Sequence, residues 1–223
     1  MTVILILFTF AVFILIDYWL AYKEAAHMVV AEAPPKPMAA IEPAFVEGFL
    51  VPEGVRYHAG HVWAASERPH LATVGMDEFA AAVAGKVDRI ELPKPGTWIR
   101  QGQRAVKLFR NGQKAEMVSP TEGEVIEVNP EALADPSLVR KDPYGRGWLM
   151  RVHVPDEEGT TRNLIPKRLV PGWMRDAAAR LYALQPQLAG AVAAEGGRPV
   201  HDIAAALGEE SWKRLTAEFF LTE

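Results

Sequence analysis

Ser119-Pro120-Thr121-Glu122-Gly123-Glu124-Val125-Ile126-Glu127-Val128-Asn129 is the stretch whose reading decides the fold. Its Pro-x-x-Gly turn runs into apolar Val125, Ile126 and Val128, the pattern of a turn feeding a half-buried strand. The phrase has an earlier copy, Leu92-Pro93-Lys94-Pro95-Gly96-Thr97-Trp98-Ile99. Pro93 and Pro120, Gly96 and Gly123, and Ile99 and Ile126 each stand 27 positions apart. Two copies at that spacing predict one supersecondary unit used twice, in a sandwich with internal pseudo-symmetry. Between the copies, Arg104–Arg110 and Lys114–Ser119 flank Asn111-Gly112, a dipeptide that marks a tight hairpin.

Outward from this centre, Thr73–Gly75 reads as a strand and Met76–Ala84 as a short helix. Asp77-Glu78 gives that helix an acidic first turn and Gly85 a C-cap. Strands are expected around Val87–Leu92, Trp98–Arg100, Ala105–Arg110, Ala115–Val118, Gly123–Val128 and Trp148–Val154. Many short strands punctuated by Gly and Pro predict a mainly β sandwich or barrel.

A family resemblance becomes visible over Tyr57–Val154. The phrases that carry it are His61-Val62-Trp63, Ala72-Thr73-Val74-Gly75-Met76-Asp77-Glu78-Phe79-Ala80, Glu91-Leu92-Pro93 and Ser119-Pro120-Thr121-Glu122-Gly123-Glu124-Val125. Val128-Asn129, Asp135-Pro136 and Asp142-Pro143-Tyr144-Gly145-Arg146-Gly147-Trp148 follow in order. In this order and spacing the chain resembles the H-protein of the glycine cleavage system. The resemblance implies a lipoyl-type barrel-sandwich hybrid and a lipoyl group on one lysine at the hairpin apex. That lysine belongs eight residues before the proline of the Ser/Ala-Pro-x-x-Gly turn, and counting back from Pro120 reaches Gly112. The acidic residue expected three positions earlier is Phe109. Phe109, Asn111 and Gly112 thus read as a degenerate lipoyl apex without cofactor, with Lys114 as the alternative attachment site.

The flanks lie outside the resemblance. Thr2–Ile16 is an unbroken apolar run that Asp17, Tyr18, Trp19 and Tyr22 close off as an interfacial belt, and Thr2–Tyr22 has the length of a membrane span. No basic n-region or small-x-small cleavage site marks a signal peptide. The expectation is an uncleaved anchor over 1–27, a Pro-rich linker over 28–44, the β domain over 45–155 and a helical extension over 156–223. With Lys23 the first basic residue, the C-terminal domain is expected on the cytoplasmic side of a single-pass membrane protein. In the extension, helices are expected over Trp173–Leu184, around Val200–Leu207 and over Glu209–Phe220. Trp212, Leu215, Phe219 and Phe220 would either dock a partner or cover the β core.

Composition and motifs narrow the chemistry. The 223 residues contain no cysteine, and a net charge of −4 leaves no basic footprint for nucleic acid. His58, His61 and His70 lack carboxylates at ligand spacing, so no metal site is expected. Asp142-Pro143-Tyr144-Gly145 reads as a turn. Alternation places Arg104 and Arg110 on one strand face and Lys107 on the other. No phosphate loop, nucleophile elbow or zinc-protease motif is present, so the chain reads as a non-enzyme with no catalytic residues. The resulting expectation is a non-lipoylated accessory or assembly subunit of a larger membrane complex, of respiratory or photosynthetic type. Its partners would be integral membrane subunits and, through the N-terminal helix, the lipid bilayer. The alternative is a lipoyl carrier modified on Lys114.

Overall fold

The structure, a computed structural model, describes residues 11–19, 44–184, 203–206 and 208–222. Two compact units divide the chain, Met1–Lys36 and Pro37–Glu223.

In the first unit, helix α1 (11–19) exposes Phe13, Ile14, Leu15, Tyr18 and Trp19, and Asp17 with them. Among the described residues no helix is long and apolar enough to cross a membrane. A span needs about 20 apolar helical residues, so this overturns the expected single-pass localisation and its cytoplasmic orientation. Apolar composition fixes a dislike of water; crossing also requires a continuous helix of sufficient length. Tyr22 and the Pro-rich stretch up to residue 43 lie outside the described residues.

The second unit is mainly β. A small hairpin pairs β1 (Phe45–Val46) with β2 (Phe49–Leu50). The larger sheet contains β3 (Arg56–His58), β4 (Val62–Arg68), β5 (Leu71–Met76), β7 (Trp98–Ile99), β10 (Gly123–Val128) and β11 (Met150–His153). Its order is β3-β4-β5-β11-β10-β7. A three-stranded sheet has the order β6-β8-β9, from β6 (Arg89–Glu91), β8 (Arg104–Arg110) and β9 (Gln113–Val118). Helix α2 (Glu78–Ala84) follows β5. Helices α3 (Pro130–Ala134), α4 (Leu138–Lys141) and α5 (Glu157–Arg162) are short connectors that the sequence pattern does not announce. The extension holds α6 (Val170–Leu184), a 3-10 turn over Ile203–Ala206 and α7 (Glu209–Phe219). Val200 and Leu207 are outside the described residues.

The 27-residue repeat takes a specific form, because the two copies pair with each other. Gly123 stands opposite Ile99 and Glu124 opposite Trp98, antiparallel. Hydrogen bonds from Gly96 N to Val125 O (2.7 Å) and from Val125 N to Thr97 O (2.9 Å) continue the contact. At the end of the second copy, Asn129 caps α3 and donates to the Arg146 and Trp148 carbonyls, each at 2.7 Å.

One buried cluster joins the sheets and helices: Trp63, Val74, Leu108, Met117 and Val125 from strands, Phe79 from α2, and Leu181, Leu215 and Phe219 from α6 and α7. Trp63 Nε1 donates to the carbonyls of Met76 (2.9 Å) and Pro143 (3.2 Å), which ties the Pro143-Tyr144-Gly145 turn to the sheet. The extension therefore shares the β body's core. Trp212, Leu215, Phe219 and Phe220 are buried in it and offer no exposed docking face, because their apolar surface is already covered within the chain.

Candidate functional site

The Asn111-Gly112 turn has the backbone its sequence demands. Both residues have positive φ, 48° and 77°, as a two-residue hairpin turn of this twist requires. Arg110 pairs with Gln113 and Phe109 with Lys114 across the ladder. Asn111 N donates to Asp88 Oδ2 at 2.7 Å, which pins the turn to the chain entering β6. Gly112 has open space around it: a Cβ there would meet nothing within 4 Å. The position at which the resemblance puts the attachment lysine is therefore exposed, next to a hydrogen-bonded residue of the turn, and without a side chain.

Lys114 is on the strand. Its Nζ lies 3.3 Å from Glu116 Oε1, and its side chain is 51% exposed. Across the sheet, Phe109 stands between Lys114 and Arg89, and the Arg89 guanidinium lies 3.8 Å from the Phe109 ring centroid. The next row is Glu91, Lys107 and Glu116, with ion pairs Lys107–Glu91 (3.8 Å) and Arg104–Glu116 (3.5 Å). Alternation from Arg104 fails here. A register shift between Arg104 and Val106 buries Ala105 and Val106 in succession and turns Arg104 to the same side as Lys107. Arg110 faces the other way, against the expectation that it shares a face with Arg104.

Arg110 is where the extension reaches the hairpin. Its Nη2 donates to the Ala204 carbonyl at 2.7 Å, and its guanidinium sits 5.8 Å from the Trp212 ring centroid. Trp212 Nε1 donates to the Ala84 carbonyl at the end of α2, 3.1 Å away. The gap among Arg110, Asn111, Gln113, Glu209 and Trp212 is only about 20 Å³, room for about one water. One flank of the apex is thus packed against α7.

The second polar centre is buried. His61, at φ 57°, directs Nδ1 to Asp77 Oδ2 at 2.8 Å. This contact orients the imidazole toward the residue that opens α2. Asp77 Oδ1 also accepts from Ala80 N at 2.7 Å and so caps α2. The His61 ring is stacked between Phe79 (4.2 Å) and Trp173 (4.5 Å), and Nε2 is buried without a partner among the described residues. Both side chains are essentially inaccessible. A histidine–carboxylate pair sealed between aromatic rings positions α2; it has no path to a substrate. Nearby, burial pushes the Tyr57 and Tyr144 phenols well above their ordinary range. Tyr144 donates to the Leu50 carbonyl at 2.8 Å. Among the described residues no group of histidines and acids could hold a metal.

Sequence reasoning finds the apex because its turn chemistry is local. It does not find the His61–Asp77 pair, whose members lie 16 residues apart, or the Arg110–Trp212 contact, which joins the β body to the extension.

The paired copies, the two sheets and the projecting hairpin define a lipoyl-type β module. The glycine cleavage H-protein family matches residues 55–170, just over half of the chain and beyond the domain boundary expected at 155. The chain belongs to that family, whose members are carriers, not catalysts, and normally hold lipoate on a lysine. It is 37% identical over 107 residues to the glycine cleavage system H protein of Thermobifida fusca, covering 48% of this chain and 84% of that one. To a probable glycine cleavage system H protein 2 of Sulfurisphaera tokodaii it is 35% identical, over 48% of this chain and 75% of that one. A crystal structure of the H protein from Mycobacterium marinum aligns at TM-score 0.44 and 27% identity, over 47% and 87% of the two chains.

Proposed function

We propose that this chain is a non-lipoylated H-protein-family module that acts as a non-catalytic accessory or assembly subunit, binding other proteins through its β body. The observation that carries the reading is Gly112. An attachment lysine must stand at the tip of a tight turn so that a ligase and a partner's active site can reach its amine, and Gly112 has no side chain. Phe109, stacked under Arg89, replaces the acid that marks such a site with apolar surface. A family fold without its carried group keeps the surfaces by which a carrier recognises its partners. The membrane-complex setting falls with the spanning helix and forms no part of this proposal.

A second reading keeps the carrier and moves the group to Lys114. Family membership favours it, as does the half-exposed amine held by one ion pair with Glu116. Its position opposes it: Lys114 is paired across the ladder with Phe109, two residues beyond the turn.

Intact-mass spectrometry of the full chain, produced with a lipoyl ligase and lipoate, separates the two. The proposed function predicts an unmodified mass. Stoichiometric lipoylation that disappears in Lys114→Ala would establish the carrier instead.

A further inference from the structure

The structure carries a second candidate site, remote in sequence from the apex hairpin. A cleft of about 310 Å³ opens between the β1–β2 hairpin with its following segment and the start of α6. Its walls are apolar: Val46, Val51, Val55, the Tyr57 ring, Val170 and Pro171. Lys167, Arg168 and the single acid Glu53 also line it, and all three are exposed. Two cations against one carboxylate leave the lining one positive charge in excess. Neither Lys167 nor Arg168 forms an ion pair among the described residues.

This combination selects a ligand class. An apolar slot at the small end of the volume range for ligand pockets, about 300–1,000 Å³, takes a short aliphatic chain. Exposed, unpaired cations orient that chain by an anionic head left at the surface, where it keeps most of its water. A polar or doubly charged ligand would lose hydration against valine and proline walls without hydrogen bonds in return. We infer that the cleft binds an amphiphilic monocarboxylate, a medium-chain aliphatic acid, with its tail among Val46, Val51 and Val55 and its carboxylate between Lys167 and Arg168.

The site is built by segments at the two margins of the family match. Val46, Val51 and Glu53 precede residue 55, and Pro171 follows residue 170. It therefore joins flanking residues to Val55, Tyr57, Lys167, Arg168 and Val170 inside the matched range. The inference does not depend on whether the hairpin carries a group.

Calorimetric titration of the full chain with hexanoate, octanoate and decanoate, each below its aggregation concentration, tests the assignment. One saturable site is expected, with affinity rising about fourfold per added methylene, the increment for burying one CH₂. Decanol should bind up to about fivefold more weakly than decanoate, since a contact with exposed cations is worth at most about 1 kcal/mol. Lys167→Glu with Arg168→Glu, both at exposed positions, should abolish the preference for decanoate over decanol while leaving the melting temperature within about 2 °C. Val46→Trp should block the tail and reduce binding of both ligands. Absence of saturable binding, or a decanoate affinity indifferent to the double charge reversal in a folded protein, would overturn the assignment.

Discussion

The Pro93–Ile99 and Pro120–Ile126 copies share a phrase and pair with each other, yet they occupy different places in the six-stranded sheet. The first lies on β7, the edge strand; the second lies on β10, between β7 and β11. Trp98 is half exposed, while its counterpart Val125 is fully buried. A Cβ on Gly96 would come no nearer than 3.9 Å to the Glu124 carboxylate, but one on Gly123 would lie 1.9 Å from the His153 carbonyl oxygen. The same local signal takes two backbone forms, a hydrogen-bonded turn with Gly96 at φ 83° and a bend that enters β10 with Gly123 at φ 156°. The neighbours decide how much each residue matters. A repeat in sequence fixes neither equal geometry nor equal energy.

Substitutions at matched positions can break or sharpen this contrast. The largest effect is expected at Gly123→Ala, where backbone must move to admit a methyl group; denaturant unfolding should show a loss of about 3 kcal/mol. Val125→Ala removes buried methyl groups from the core and should cost about 2 kcal/mol in the same assay. Gly96→Ala has space but must adopt φ near 83°, so about 1 kcal/mol is expected. Trp98→Ala, half in solvent on an edge strand, should change stability by no more than about 0.5 kcal/mol. Equal losses at Gly96 and Gly123 would remove the distinction between edge and interior copies. A large loss at Trp98 would show that the edge is covered.

How much of this could be read beforehand follows the range of the interactions. Asn111-Gly112 and the α2 helix were legible because turns and helix ends are decided by two to four neighbouring residues, although Asp77, read as part of the first turn, is the N-cap. The β8 strand was legible but its faces were not. The bulge after Arg104 shifts the alternation, and nothing in Arg104-Ala105-Val106-Lys107 announces it. β4 went unread because Ala64, Ala65 and Ser66 have little strand propensity; its place comes from pairing with β5.

For α7, the spacing of Trp212, Leu215 and Phe219 revealed an apolar face and could not reveal what covers it. The answer lay with Arg110 and Ala84, about a hundred residues away. At the N-terminal end the apolar run suggested a membrane span, and the described helix is too short to be one. Of the candidate site, the apex was visible and its brace was not. The family phrases preserved His61 and Asp77 without showing that they are partners.

Gly112 bears on how this hairpin changes over generations. No neighbour lies within 4 Å of the place its Cβ would occupy, so no side chain has grown into the space where a lysine would stand. A lysine there would project freely into solvent and incur only the modest backbone penalty of a positive φ. The three-stranded sheet, the Asp88 contact and the Arg110 brace lie elsewhere and would be undisturbed. A lysine and a glycine at position 112 are therefore neighbouring states of a single scaffold, at a site where a Cβ meets no described residue within 4 Å. Stability favours glycine there by only the cost of a positive φ, about 1 kcal/mol, so selection for what the hairpin does can outweigh it.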